Sequence, residues 1–230
     1  MNNQPSNANQ PILFVDLDGT LIKSTEFHNA SRCALALEHS KNPQEAEKDL
    51  PFYMSADSVA MIRDLRARHN AKLVIHSNWT VAYMPQVTFN ELLRHGFEAS
   101  DFHHDWCLSV NLYRLSLATP RAKLDYNFLF KLQDDNDGRQ WRIPMWLMLH
   151  PEIDNFAIFD DRSMNEWEKN NCTDVMPERK IGCNLVGDWM NGPFHSRWVR
   201  VTGKDAITEQ DIDKADVILA KADTACVWRL

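Results

Sequence analysis

Paired acidic residues follow an apolar run near the start of the chain. The run Ile12-Leu13-Phe14-Val15 leads directly into Asp16-Leu17-Asp18-Gly19-Thr20. Two carboxylates one residue apart allow one group to attack as a nucleophile while the other handles a proton. Gly19 allows the backbone to turn and to approach a ligand closely. This spacing predicts a catalytic segment at the end of a strand.

Two further apolar runs end in polar residues in the same way. Lys72-Leu73-Val74-Ile75-His76 leads into Ser77-Asn78, and Asn155-Phe156-Ala157-Ile158-Phe159 leads into Asp160-Asp161. Short apolar runs rich in strand-forming residues are typical of strands buried on both faces. Residues 198–202 predict a fourth strand.

Helical signals separate these strands. Ser55 can cap a helix, Gly96 is placed to end one in the left-handed position, and Thr208 with Asp211 resembles a capping box. The predicted helices span residues 56–69, residues 85–95, a stretch that begins near Pro144 and continues through Trp146, Leu147 and Leu149, and residues 208 to about 221. Between residues 97 and 139 the signal is mixed, and strand and helix both stay open.

Strands that alternate with helices predict an α/β fold with right-handed crossovers. Such a sheet is parallel and covered by helices on both faces. Ligands of such sheets bind beyond the carboxyl ends of the strands. Asp16, Ser77 and Asp160 stand at those ends, so the sequence predicts one site at this edge.

The Asp16-Leu17-Asp18-Gly19-Thr20 segment resembles motif I of the haloacid dehalogenase (HAD) superfamily of phosphohydrolases and phosphotransferases. The resemblance implies a Rossmann-like HAD fold with a small cap or flap. It also implies that Asp16 is a nucleophile that forms an aspartyl-phosphate, and that Asp18 protonates the leaving group and then activates water. The second role needs a carboxyl that holds a proton near neutral pH, which burial or a neighbouring like charge favours.

The superfamily's other motifs find matches at the remaining strand ends. Ser77 matches the second motif and would donate to a phosphoryl oxygen, and Asp160-Asp161 matches the acidic fourth motif. By the same resemblance the metal ligands are Asp16, Asp18 through its backbone carbonyl, Asp160 and Asp161, and the cofactor is Mg²⁺, which prefers oxygen ligands. The phosphate-binding residues are Gly19, Thr20, Ser77 and Asn78.

A basic third motif is implied between these strands, and Lys123, Arg139 and Arg142 all lie in the permitted interval. A narrower resemblance favours Arg139. The strand with Ser77-x-Trp79 is similar to the HAD domains associated with Swiss Army Knife RNA-repair proteins, which carry a basic residue ahead of a Trp-Leu pair. Arg139 stands in that place before Trp146-Leu147. Thr80 stands where Arg is usual in that group.

Length and composition are those of a globular domain. The chain has 230 residues, 44% of them hydrophobic, with a net charge of −7. This surface predicts no general attraction for nucleic acid or anionic lipid. No apolar run approaches the ~20 residues of a membrane span, and five scattered cysteines predict reduced thiols in a cytoplasmic protein. We expect a disordered tail over residues 1–10, then a single domain over 11–230 with a flap at about 22–54 and an insert at about 97–138.

These features predict an Mg²⁺-dependent HAD-type phosphatase, a phosphoric monoester hydrolase. Its substrate partner would be a phosphorylated small molecule or a nucleic-acid end. Two alternatives stay open. One is a phosphotransferase or mutase on a small metabolite, in which another alcohol replaces water. The other is a catalytically silent HAD-like binding module.

Overall fold

The computed structural model describes residues 10–23, 54–77, 79–82, 85–107, 143, 146–147, 150, 152–161, 195–202 and 206–221. The strands in these ranges are β1 (Ile12–Val15), β2 (Lys72–Ile75), β3 (Phe102–Cys107), β4 (Phe156–Asp160) and β5 (Trp198–Arg200). The α-helices are α1 (Ala56–His69), α2 (Trp79–Ala82), α3 (Pro85–Arg94) and α4 (Glu209–Ala220). Most of the predicted tail, flap and insert lies outside the described residues, as do Pro144 and Leu149.

The five strands form one parallel sheet in the order β3-β2-β1-β4-β5. β1 lies in the centre, and Val15 pairs with Ile75 of β2 on one side and with Phe159 of β4 on the other. The chain winds outward from β1 in one direction and then returns to its other side. The strand order therefore reverses at β1, where an open α/β sheet forms its ligand crevice.

Both faces of the sheet are buried, as the apolar strand sequences predict. Leu13 and Val15 belong to a core cluster that includes residues of α1, α3 and α4. Ile12 and Phe14 belong to a second cluster with Ile143, Trp146 and Leu147, all three of which are helical. Successive side chains of β1 thus point to opposite layers. This confirms the predicted α/β fold with helices on both faces.

The predicted capping residues set the ends of three helices. The Ser55 side chain accepts a hydrogen bond from the Ser58 N–H, so α1 begins where predicted. Gly96 follows α3 with a φ of +100°, the left-handed conformation that glycine adopts without strain. Thr208 and Asp211 form the capping box of α4. None of the helices in the described ranges is long and apolar enough to cross a membrane.

Strand β3 lies in the stretch for which the sequence left strand and helix open. It forms the sheet edge, and its register shifts between Leu73, which pairs with Phe102, and Ile75, which pairs with Cys107. Its inner residues are His103-His104-Asp105-Trp106, a polar stretch without period-two alternation. An irregular edge strand faces fewer packing constraints than a central one, so its sequence carries a weaker pattern.

A histidine cluster lies along this irregular strand. The His103 ring packs against the rings of His104 and His150, at centroid distances of 4.1 and 5.0 Å. The Asp105 N–H donates to Nδ1 of His103. Burial and the neighbouring His104 and His150 lower the pKa of His103 to about 4, although Asp105 acts in the opposite sense. His103 is therefore neutral in the folded protein near pH 7.

This buried imidazole should make folding sensitive to acid. Between pH 6.5 and about 4, an unfolded chain takes up a proton on His103 that the folded chain does not, so stability falls as the pH falls through this window. Replacing His103 by Asn removes the titration and keeps an acceptor for the Asp105 N–H. We expect the melting temperature of His103→Asn to fall less steeply than that of the wild type between pH 6.5 and 4.5. Equal slopes would contradict the assignment.

Candidate active site

Three carboxylates meet where β1 and β4 end. One oxygen each of Asp16, Asp160 and Asp161 lies within 4.8 Å of the others. Asp16 and Asp160 are fully buried. The N–H of Asp16 donates to the Phe159 carbonyl at 3.0 Å, which extends the β1–β4 ladder by one residue. The sheet itself thus holds the two buried acids side by side.

This donor set fits a hard divalent cation. Buried carboxylates so close together repel one another unless a cation or protons neutralise them. Oxygen donors alone, two of them inaccessible to solvent, are the ligands that Mg²⁺ prefers. Asp16, Asp160 and Asp161 would therefore hold such an ion. The structure thus groups the three residues that were predicted to bind the metal through their carboxylates. The predicted contribution of the Asp18 backbone carbonyl stays a prediction.

Gly19 makes room for the third carboxylate. Its φ is +68°, and a Cβ added to it would lie 2.5 Å from Oδ2 of Asp161 and 2.7 Å from Cβ of Asp161. Real Cβ atoms do not approach neighbours so closely. The glycine is thus needed both for the left-handed turn and for the approach of the β1 loop to Asp161. Sequence reasoning predicted a close approach at Gly19 but assigned it to a ligand.

Asp18 is held by an aromatic side chain from the neighbouring loop. Nε1 of Trp79 donates to Oδ2 of Asp18 over 2.7 Å. Trp79 is 6% exposed and begins the short helix α2. From the sequence, Trp79 was recognised only as part of the Ser77-x-Trp79 resemblance, which predicted no contact for it. The structure brings it into contact with the second acid of motif I.

Ser77 is fully buried at the end of β2. Its Oγ accepts the Trp79 N–H at 3.4 Å. The Thr80 hydroxyl donates to the Ser77 carbonyl at 2.9 Å, and the Thr80 N–H approaches the same oxygen at 3.3 Å. Thr80 therefore fixes the turn that follows Ser77. Where the resemblance expects Arg, this chain uses a buried hydroxyl for local structure.

His76 connects the second strand to the acidic cluster. Its Nε2 lies 3.1 Å from the carbonyl of Phe159, which can only accept, so the ring donates there. Its Nδ1 lies 3.7 Å from Oδ2 of Asp160. Both side chains are fully buried. His76 thus packs and hydrogen-bonds between the end of β2 and the acidic cluster.

Thr20 closes the β1 loop. Its carbonyl accepts the Ile207 N–H at 2.9 Å, and its own N–H donates to the Leu17 carbonyl at 3.2 Å. The side chain is fully buried, and its hydroxyl has no hydrogen-bond partner among the described residues. Thr20 thus ties the loop that carries Asp16 and Asp18 to the chain before α4.

The remaining predicted site residues fall outside the described part of the chain. These are Asn78 of the phosphate-binding set and the three basic candidates, Lys123, Arg139 and Arg142. Their assignment stays a prediction. The predicted site residues that the structure describes are Asp16, Asp18, Gly19, Thr20, Ser77, Asp160 and Asp161. His76, Trp79 and Thr80 contact members of this set.

The fold and the site together define a HAD-type α/β domain. A central strand delivers an Asp-x-Asp-Gly-Thr loop, the next delivers a serine, and β4 delivers an acidic pair at the point where the strand order reverses. The family model described as "HAD domain in Swiss Army Knife RNA repair proteins" matches residues 12–212, and the chain belongs to that family. No curated protein and no solved structure matches in the corresponding comparisons.

Proposed function

We propose that the protein is an Mg²⁺-dependent phosphomonoester hydrolase that acts through an aspartyl-phosphate on Asp16. The observation that carries the proposal is the cluster of Asp16, Asp160 and Asp161, in which one carboxylate oxygen of each residue lies within 4.8 Å of the others. Asp16, the proposed nucleophile, is fully buried in this cluster. Asp18, the proposed acid and base, lies two residues after Asp16 in the same loop. Membership of a HAD family supports this chemistry.

Asp16 and Asp18 divide the reaction into two steps. In the first, an oxygen of Asp16 bonds to phosphorus while the ester oxygen departs and takes a proton from Asp18. In the second, Asp18 takes a proton from water as the water oxygen bonds to phosphorus, which releases inorganic phosphate and restores Asp16. Asp18 is left deprotonated by the first step, as the second step requires, and the second step restores its proton for the next turnover.

The other site residues would stabilise the negative charge of the phosphoryl group. A bound Mg²⁺ supplies positive charge that lets an anionic carboxylate approach an anionic phosphate. The Ser77 hydroxyl, with Asn78 and the loop at Gly19 and Thr20, would donate to phosphoryl oxygens. We assign the balancing cation to Arg139, with Lys123 and Arg142 as alternates.

We propose a nucleotide or nucleic-acid end as the substrate. The family description places related domains in RNA-repair proteins, where terminal phosphates are chemically relevant groups. The net charge of −7 opposes contacts spread along a phosphate backbone. Recognition limited to a terminal phosphate fits both the family description and the negative net charge, because it needs few contacts with the rest of the phosphate backbone.

A panel of phosphate esters tests the function. The full chain is incubated with Mg²⁺ or with EDTA, and inorganic phosphate is measured from an aryl phosphate, sugar phosphates, nucleotides, and 3′- or 5′-phosphorylated oligonucleotides. Release that needs Mg²⁺ and is fastest on nucleotides or oligonucleotides would support the proposal. Transfer to a sugar acceptor instead of water would favour a phosphotransferase. Silence across the panel by a folded protein that binds Mg²⁺ would contradict hydrolysis of these classes.

A further inference from the structure

We propose that Trp79 is a positioning residue that fixes the orientation of the Asp18 carboxyl for proton transfer. The inference rests on the function proposed above, because it assigns a role within that site. The 2.7 Å bond from Nε1 of Trp79 to Oδ2 of Asp18 is short for an N–H donor. With 6% of the residue exposed, water competes little for this bond.

The direction of the bond distinguishes the two oxygens of Asp18. An indole N–H donates and never accepts, so Oδ2 serves as an acceptor. An oxygen that carries the acid proton is a poor acceptor, and the proton of the neutral acid is therefore placed on Oδ1. We infer that Oδ1 is the oxygen that exchanges a proton with the leaving group and then with water. A carboxyl free to rotate would present either oxygen.

Trp79 is itself held by the loop that follows β2. Its backbone N–H bonds to Oγ of Ser77, and Thr80 donates twice to the Ser77 carbonyl. One short segment therefore positions Ser77 and the indole that holds Asp18. It links the second-strand loop to the first-strand loop across the mouth of the sheet. Packing in the core cluster accounts for the burial of the Trp79 ring but not for the bond from its indole N–H to this carboxylate.

Trp79→Phe removes the N–H and keeps an aromatic ring. A general acid matters more when the departing group is a strong base, so the loss should depend on the leaving group. We expect kcat/KM for phenyl phosphate to fall at least about 10-fold and kcat/KM for 2,4-dinitrophenyl phosphate to fall less than about 3-fold. kcat/KM reports the step in which the alcohol leaves, so slow breakdown of the phosphoenzyme does not hide the difference.

Trp146→Phe is the matched control. Trp146 is also buried and donates its indole N–H to a carbonyl, that of Asp105, but it packs in the core cluster on the other side of the sheet. Its substitution removes the same kind of bond. We expect it to change stability and to leave the ratio of the two kcat/KM values at the wild-type level.

A double-mutant cycle with Asp18→Asn tests whether Trp79 acts through Asp18. If it does, Trp79→Phe should have little further effect in the Asp18→Asn background. An equal loss on both substrates, or a loss that persists in that background, would overturn the positioning role while leaving the phosphatase assignment intact. Absence of Mg²⁺-dependent activity in the folded wild type would instead overturn the proposed function, and the inference with it.

Trp79→His serves if the phenylalanine variant does not fold. An imidazole can present an N–H at a similar distance from the backbone. We expect Trp79→His to retain the wild-type ratio of kcat/KM for phenyl phosphate to that for 2,4-dinitrophenyl phosphate. Circular dichroism and a cooperative melt show whether Trp79→His folds. If the folded variant loses activity on phenyl phosphate but not on 2,4-dinitrophenyl phosphate, an N–H donor at position 79 is not sufficient to position Asp18.

Discussion

Asp16→Asn should abolish Mg²⁺-dependent phosphate release, with a loss of about 10³-fold or more, and should leave the protein folded. The amide that replaces the carboxylate is a poor nucleophile and a weaker ligand for Mg²⁺. It has nearly the same shape, so packing at the end of β1 is retained. Phosphate release and circular dichroism on the same preparations measure both effects.

The same substitution should change how Mg²⁺ affects stability. Asp16 lies within a cluster of three carboxylates, and removing one negative charge reduces their mutual repulsion. We therefore expect the metal-free melting temperature of Asp16→Asn to equal or exceed that of the wild type. Added Mg²⁺ should raise the melting temperature of the wild type much more than that of Asp16→Asn. An ion that binds only the folded state stabilises it, and the variant binds the ion more weakly.

Asp64→Asn is the control for the charge change. Asp64 is an exposed residue of α1 that pairs with Arg68 of the same helix. Surface pairs of this kind contribute about 0–1 kcal/mol, so activity and the response to Mg²⁺ should stay at wild-type levels. Activity of Asp16→Asn within about 10-fold of the wild type would exclude Asp16 as the nucleophile.

Gly19→Ala should weaken Mg²⁺ binding and phosphate release together, each by about 10-fold or more. A methyl group at this position lies 2.5 Å from Oδ2 of Asp161, so the carboxylate or the β1 loop must move. The positive φ of +68° adds strain of about 1 kcal/mol. Thermal melts over a series of Mg²⁺ concentrations give the apparent affinity.

Gly96→Ala separates the clash from the strain. Gly96 also has a positive φ, +100°, but an added Cβ there meets nothing within 4 Å. It lies between α3 and the start of β3, whereas the acidic cluster lies where β1 and β4 end. We expect Gly96→Ala to lower the melting temperature with little change in Mg²⁺ affinity or activity. If the two alanine variants lose Mg²⁺ affinity equally, the close approach of Gly19 to Asp161 has no role in metal binding.

The central part of the fold was predictable because strong local signals agree with the tertiary structure. β1, β2 and β4 are apolar runs buried on both faces, and few other structures accommodate such runs. Because parallel strands end at the same edge, strand assignment placed Asp16 and Asp160 at one edge of the sheet. Their adjacency follows from the pairing of β1 with β4. Membership of a HAD family then confirmed the resemblance that motif I had indicated.

The supports of the site were not predictable in the same way. The bond from Trp79 to Asp18 joins residues 61 positions apart, and the contact of His76 with Phe159 spans 83. Neither contact leaves a periodic signal in the sequence. The contact of Gly19 with Asp161 likewise depends on how two loops meet. Long-range contacts between single side chains follow from the assembled sheet, whereas strands and caps follow from neighbouring residues.

The most direct test of the central claim is to trap the phosphoenzyme. Asp18→Asn is incubated with 2,4-dinitrophenyl phosphate and Mg²⁺, since loss of the base should slow breakdown of the intermediate more than its formation from a good leaving group. The protein is quenched in acid, digested and analysed by mass spectrometry. We predict one phosphoryl group on the peptide that contains Asp16, and none when Asp16→Asn is added to the same variant. Phosphate release by the wild type with no phosphorylated Asp16, or with the group on another residue, would contradict an aspartyl-phosphate mechanism.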